Sequence, residues 1–257
     1  MNQFYSKNNH SLNGILEVPG DKSISQRALI LGAMTIGTTK IKGISYSEDV
    51  NNLIKNLKLL GVKIIKKKNE LNIIGVGIGG FDYSKKSLYM GNSGTATRLM
   101  LGALCNQNFE TKITGDKSLS KRNMLNLINQ LKKMGAQIKS NNNKLPIFIK
   151  GISESMPIIY NQKIPSAQIK SAVLLASLNT PGITTIKENL ETRNHTEILL
   201  KMLGANIKIK KNKNNNEITI IGQKELKAKN ILISGDPSSA AIIGAAALII
   251  PKSKIKI

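Results

Sequence analysis

The chain has 257 residues, 40% of them hydrophobic and none tryptophan, which suits one large or two modest globular domains built on Ile, Leu, Val, Ala and Met. A single cysteine, Cys105, excludes an internal disulfide framework and fits a reducing compartment. The formal net charge of +23 points first to nucleic acid, but the lysines are scattered and aromatics, at 4%, are too few to stack bases, so most of the charge reads as solvated surface.

The N-terminal stretch MNQFYSKNNHSLNG is polar and has no signal-peptide core. NGILEVPG at 13–20 reads as a strand with no obvious partner in the unit directly after it. GDKSISQRALILGA then opens a helix at 20, where Lys22, Ser23 and Arg27 gather on the first turns and Arg27 shares a face with Ser23. Ser47, Glu48 and Asp49 open the next helix and read as a cap with dipole pairing. Near the end, AAIIGAAALII is the longest apolar run and is too short to span a bilayer. The expectation is a soluble cytoplasmic protein.

Two phrases repeat. NLKLLGVKIIKKKNELNIIG at 56–75, QLKKMGAQIKSNNNKLPIFIKG at 130–151 and LLKMLGANIKIKKNKNNNEITIIG at 199–222 each read as a helix end, a capping glycine, a strand, a polar turn and a second strand. Between them, GDKSISQRALILGA, GNSGTATRLMLGAL at 91, PSAQIKSAVLLASL at 165 and GDPSSAAIIGAAAL at 235 each open an apolar helix with small or hydroxyl residues. The unit is about 70 residues long, a helix, a strand, an amphipathic helix and a strand pair. Three units are complete and a fourth only begins at Gly235, so the chain is expected to be a fragment or truncated product, with the strand at 13–20 belonging to the fourth unit.

Several motif matches fail. GVGIGG at 75–80 fits a dinucleotide fingerprint but leads into FDYSKKS rather than a helix, GDKS lacks the P-loop spacing, and His10 and His195 are too few and too far apart for a metal site. The arginines say more. Only Arg27, Arg98, Arg122 and Arg193 are arginine, and the other 34 basic residues are lysine. A chain that uses lysine almost everywhere keeps arginine where a bidentate fork is needed for carboxylate or phosphate. Asn92, Gly94, Thr95 and Arg98 mark the second helix start, and Ser166, Gln168 and Lys170 the third. Helix N-termini, hydroxyls and forked cations together predict a cleft edge for a ligand with several negative charges and some hydroxyls.

PGDKSISQRALILGA, GNSGTATRLMLGAL, GDKSLSKRNM, PSAQIKSAVLLASL, ETRNHTE and GDPSSAA together closely resemble the EPSP synthase family, the 3-phosphoshikimate 1-carboxyvinyltransferases, over essentially the whole chain. The resemblance implies transfer of the enolpyruvyl group of phosphoenolpyruvate to shikimate 3-phosphate with release of phosphate, in the shikimate pathway to chorismate and the aromatic amino acids. It implies no metal or organic cofactor, small-molecule substrates as the only partners, and a monomer. The implied fold is α/β, an inside-out barrel of three repeated units forming one complete domain at 20–233, with 1–19 and 234–257 as parts of a second. By the same resemblance Lys22 is catalytic and touches both substrates. Ser23, Arg27, Ser166, Ala167, Gln168 and Arg193 hold shikimate 3-phosphate. Asn92, Gly94, Thr95 and Arg122 surround phosphoenolpyruvate, with Arg98 in support. Relatives with alanine at the position of Gly94 resist glyphosate, so this chain is expected to be of the sensitive kind.

The departure is that the family's proton-moving carboxylate, a lysine and further arginines have no counterpart here. One alternative is the sister enzyme that transfers enolpyruvyl to UDP-N-acetylglucosamine, but it carries a reactive cysteine in the loop matching 112–122, where KITGDKSLSKR has none. The other is a basic nucleic-acid-binding module, motivated by the net charge alone.

Overall fold

The computed structural model describes residues 11–68, 70–212 and 215–257; His10 and the polar stretch before it lie outside the described residues, as do Asn69, Lys213 and Asn214. Strand β1 (Asn13–Ile15) precedes α1 (Lys22–Ala33), β2 (Thr35–Lys42), α2 (Glu48–Leu59) and the hairpin β3 (Lys63–Lys66) and β4 (Glu70–Val76). The order recurs as β5 (Leu88–Tyr89), α3 (Gly94–Ala103), β6 (Glu110–Thr114), α4 (Leu125–Lys133), β7 (Gln137–Asn141) and β8 (Lys144–Lys150). It recurs again as β9 (Ile159–Gln162), α5 (Ala167–Ser177), β10 (Ile183–Glu188), α6 (His195–Met202), β11 (Asn206–Lys211) and β12 (Asn216–Ile221). Two short strands, β13 (Leu226–Lys227) and β14 (Ile231–Leu232), lead to α7 (Pro237–Ile249) and β15 (Lys254–Lys256).

The local signals explain these boundaries. Asp21 Oδ1 accepts from Ile24 N at 2.7 Å, Ser93 Oγ from Ala96 N at 3.2 Å and Ser166 Oγ from Ile169 N at 3.3 Å, capping α1, α3 and α5. Gly61, Gly135 and Gly204 end α2, α4 and α6 at φ of +84°, +105° and +90°, a conformation that favours glycine.

All three units build the same sheet. The first strand pairs antiparallel with the last, and the last with its hairpin mate, in β2–β4–β3, β6–β8–β7 and β10–β12–β11. A parallel strand flanks each first strand. It is β5 beside β6 and β9 beside β10, but in the first unit β13 and β14 fill that place beside β2. The strand that chain order puts there, β1, instead pairs parallel with β15, which follows α7. Residues after the third unit therefore close the first sheet.

The helices α1, α3 and α5 are buried along nearly their whole length, whereas α2, α4 and α6 bury a stripe. Helices apolar on every side need surroundings on every side. The sheets supply them, turning Ile41, Ile73, Ile113, Ile147, Ile186 and Ile218 inward. This is the expected inside-out α/β arrangement, with helices within and sheets outside. The helix α7 repeats the small-residue phrase of the central helices yet buries no residue, and Leu248 is 89% exposed.

One departure lies in the core. The sequence groups Lys170 with the polar residues at the mouth of α5, but its side chain is fully buried. Its Nζ sits 2.7 Å from Glu197 Oε1 and 3.0 Å from Glu188 Oε2, and donates to Thr192 O at 3.3 Å. It ties α5 to β10 and α6 from inside. Burial pushes the Glu197 carboxyl above its usual range, against the pull of Lys170. Lys170→Met leaves two buried carboxylates without their cation, and is expected to cost about 3–5 kcal/mol in urea unfolding; an unchanged unfolding midpoint refutes the structural role.

Candidate functional site

The N-terminal turns of the central helices are bonded to one another. Gln26 Nε2 on α1 donates to Ser93 Oγ before α3 at 2.7 Å. Gln168 Nε2 on α5 donates to Thr95 Oγ1 on α3 at 2.8 Å, and Gln168 Oε1 accepts from Arg98 Nη1 at 2.8 Å. Arg27 Nε donates to Thr196 Oγ1 on α6 at 2.9 Å and its Nη2 to Ser171 Oγ on α5 at 3.2 Å, while Nη1 reaches Ser23 O at 3.0 Å. The starts of α1, α3, α5 and α6 therefore lie side by side, and their free N–H groups and partial positive charge gather on one face.

All four arginines belong to this face, in two pairs of like charge. Gly94 lies between the first pair. A Cβ on it would sit 2.8 Å from Arg122 Nη1 and 2.9 Å from Arg98 Nη1, so the absence of a side chain is what lets both guanidiniums close on the α3 start. Arg122 is exposed and donates to Asn92 Oδ1 at 2.9 Å. Burial, and then Arg122, hold the Arg98 guanidinium below its ordinary value. In the second pair, Arg27 is buried and Arg193 exposed. Burial, and then Arg193, push Arg27 down to about 10, with Glu197 and Asp21 opposing. An open groove of about 410 Å³ runs past Arg98, Asn123, Ser166 and Gln168.

Lys22 stands at the edge of this face, half exposed, with Nζ 3.0 Å from Asp49 Oδ2. That contact adds to the reading of Ser47 to Asp49, whose two carboxylates stand in the first turn of α2 as expected. The Ser47 hydroxyl makes no cap bond, and Asp49 faces Lys22 across from α2. Ser23, Ser166, Ala167 and Gln168 are partly exposed beside the arginines. Every residue expected at the site except Lys170 is thus on or next to one face. Ser171 and Thr196, the buried partners of Arg27, carry no motif that marks them in the sequence. A clue exists for Thr196, which lies three residues after Arg193 in ETRNHTE.

Cys105 is buried on the far part of α3's unit, its thiol pushed up to about 12 by burial, so it cannot serve as the reactive thiolate of the sister enzyme. Among the described residues, no three His, Cys, Asp or Glu side chains gather as metal ligands, and no helix is long and apolar enough to cross a membrane.

A family model described as EPSP synthase (3-phosphoshikimate 1-carboxyvinyltransferase) matches residues 6–257. A curated relative named 3-phosphoshikimate 1-carboxyvinyltransferase from Ruthia magnifica subsp. Calyptogena magnifica is 46% identical over 255 residues, covering 99% of this chain and 58% of the relative. Another of the same name from Rhodopseudomonas palustris is 42% identical over 251 residues, covering 96% and 56%. A solved EPSP synthase from Acinetobacter baumannii superposes with a TM-score of 0.85 at 38% identity, over 96% of this chain and 56% of that one. This chain spans little more than half the length of the relatives it matches, and within that span it belongs to the EPSP synthase family.

Proposed function

We propose that this chain supplies the binding wall of a transferase that moves the enolpyruvyl group of phosphoenolpyruvate to shikimate 3-phosphate and releases phosphate. The observation that carries the reading is the pairing of like charges, Arg27 with Arg193 and Arg98 with Arg122, on a face of helix N-termini. Two guanidiniums held together raise each other's energy unless an anion lies between them. Two such pairs fit two anionic ligands held next to each other, and family membership supports which two. The pair at α1 and α6, with Ser23, Ser166, Ala167 and Gln168, takes shikimate 3-phosphate. The pair at Gly94, with Asn92 and Thr95, takes phosphoenolpyruvate. Lys22 reaches both, released from Asp49 when the anions arrive.

In the same reading residues 20–233 form one domain, and 1–19 and 234–257 belong to a second that faces it across the cleft. The exposed apolar surface of α7 supports this division. The enzyme acts as a cytoplasmic monomer on small molecules, with no cofactor. By the same resemblance the proton-moving residues lie in the part of the relatives that these 257 residues do not match.

Three measurements test the reading. In a chimera that joins this chain to the remainder of the Ruthia magnifica relative, Lys22→Ala is expected to abolish turnover with the melting temperature unchanged; near wild-type turnover rejects the assignment of Lys22. In the same chimera Gly94→Ala pushes a methyl against Arg98 and Arg122, and is expected to raise the glyphosate inhibition constant more than the KM for phosphoenolpyruvate. Equal changes in both place Gly94 away from that pocket. The 257-residue chain alone meets its ligand in open water, where each exposed ion pair contributes about 0–1 kcal/mol. It is expected to bind shikimate 3-phosphate weakly and to release no phosphate from the two substrates. Turnover above background that Lys22→Ala abolishes shows that the remainder of the relatives is dispensable.

A further inference from the structure

His195 is the first residue of α6 and stands directly before Thr196, the residue that receives Arg27 Nε. Its ring is half-buried, and its Nδ1 is shut away from solvent with no hydrogen-bond partner among the described residues. The α6 start beside it is also open, because Asn194 makes no side-chain cap bond there. The charges that act on the ring are those of Arg27 on α1, Asp21 at the α1 cap and Arg193, two residues before it in the loop. Two cations and one anion therefore act on a titratable ring whose Nδ1 lacks a hydrogen-bond partner among the described residues.

We infer that His195 is a proton-coupled binding residue of the shikimate 3-phosphate end of the site: neutral while Arg27 and Arg193 face each other without a ligand, it takes up a proton when a dianion settles between them. This rests on the proposed function, and it adds a residue that the family resemblance did not assign.

The electrostatics set the direction. Burial, and then Arg27, hold the imidazole below its ordinary value, which favours the neutral ring in the free chain. A dianion against the two arginines cancels the field that keeps the proton off. The bound form then has the higher pKa of the two. By linkage the anion binds most tightly below the free pKa, and its affinity falls as pH rises through the interval between the two values. Each unit of separation gives a tenfold fall.

Inorganic sulfate is the probe, because unlike phosphate it does not change charge across this range. The chain has only two histidines, so His10→Gln leaves one imidazole signal for NMR titration. Sulfate is expected to raise the His195 pKa by about one unit relative to chloride at equal ionic strength. Its affinity is expected to fall severalfold from pH 5.5 to 8 in the wild type and to stay level in His195→Gln. Because Arg193 is exposed, Arg193→Ala leaves the fold intact and serves as the site control. Sulfate binding that Arg193→Ala weakens, with the His195 pKa unmoved, overturns this inference and leaves the anion site standing. Sulfate binding no stronger than chloride, and unaffected by Arg193→Ala, overturns the anion site and this inference with it.

Discussion

The ammonium of Lys170, sealed between Glu188 and Glu197, is the constraint on which the arginine face depends. Buried charges of this kind are poor sources of net stability, since desolvation offsets much of the attraction. What they do well is fix geometry, because only one arrangement leaves no charge unpaired. Here that arrangement sets the start of α6 against α5. Thr196 precedes Glu197 and so is brought to Arg27, and its hydroxyl also donates to Ser171 Oγ at 2.7 Å. Arg27 thereby loses its freedom to swing. Three of its N–H groups are committed to protein, which leaves the others aimed by the fold rather than by the ligand.

A guanidinium positioned in this way differs from the lysines that give the chain its charge. An exposed ammonium on a flexible stem is well hydrated and loses entropy when it binds. Arg27 and Arg98 are held by Ser171, Thr196 and Gln168 within the chain itself, so under the proposed function less is lost when an anion binds. Their cost is instead carried in the unliganded chain, as burial and mutual repulsion with Arg193 and Arg122. Cations that repel one another beforehand gain more when an anion settles between them.

The parts legible in the sequence are those fixed by short-range chemistry. Asp21, Ser93 and Ser166 cap helices through bonds to residues three ahead, and Gly61, Gly135 and Gly204 terminate helices through their own backbone angles. The threefold repeat and the rarity of arginine are readable for that reason. The closure of the first sheet is not. The strands β13 and β14 are two residues each, too short for any periodicity, and they are placed by β2, some 190 residues earlier. Lys170 is easily misplaced because its helix start looks like the others. A lysine in so apolar a helix as AQIKSAVLLAS needs a buried counter-charge, which the sequence can signal, but it does not say that Glu188 and Glu197 provide it.

The same reasoning explains α7. Its phrase GDPSSAAIIGAAAL matches those of α1, α3 and α5, and Asp236 caps it through Ser238 N at 2.9 Å, so its local chemistry is complete. What differs is company. The central helices pack on one another, α1 on α3 and α3 on α5, and on α2, α4 and α6 as well, whereas among the described residues α7 packs chiefly on β15, which pairs with β1. Gly20 and Gly235 bridge the two segments in antiparallel register, with Asp21 N donating to Ser234 O and Asp236 N to Pro19 O. The two connections that lead to β1 and to α7 therefore run side by side at this bridge. The three sheets already cover α1, α3 and α5, and α7 takes no place among those helices. Ile242, Leu248 and Ile249 stay exposed among the described residues although the helix itself is formed.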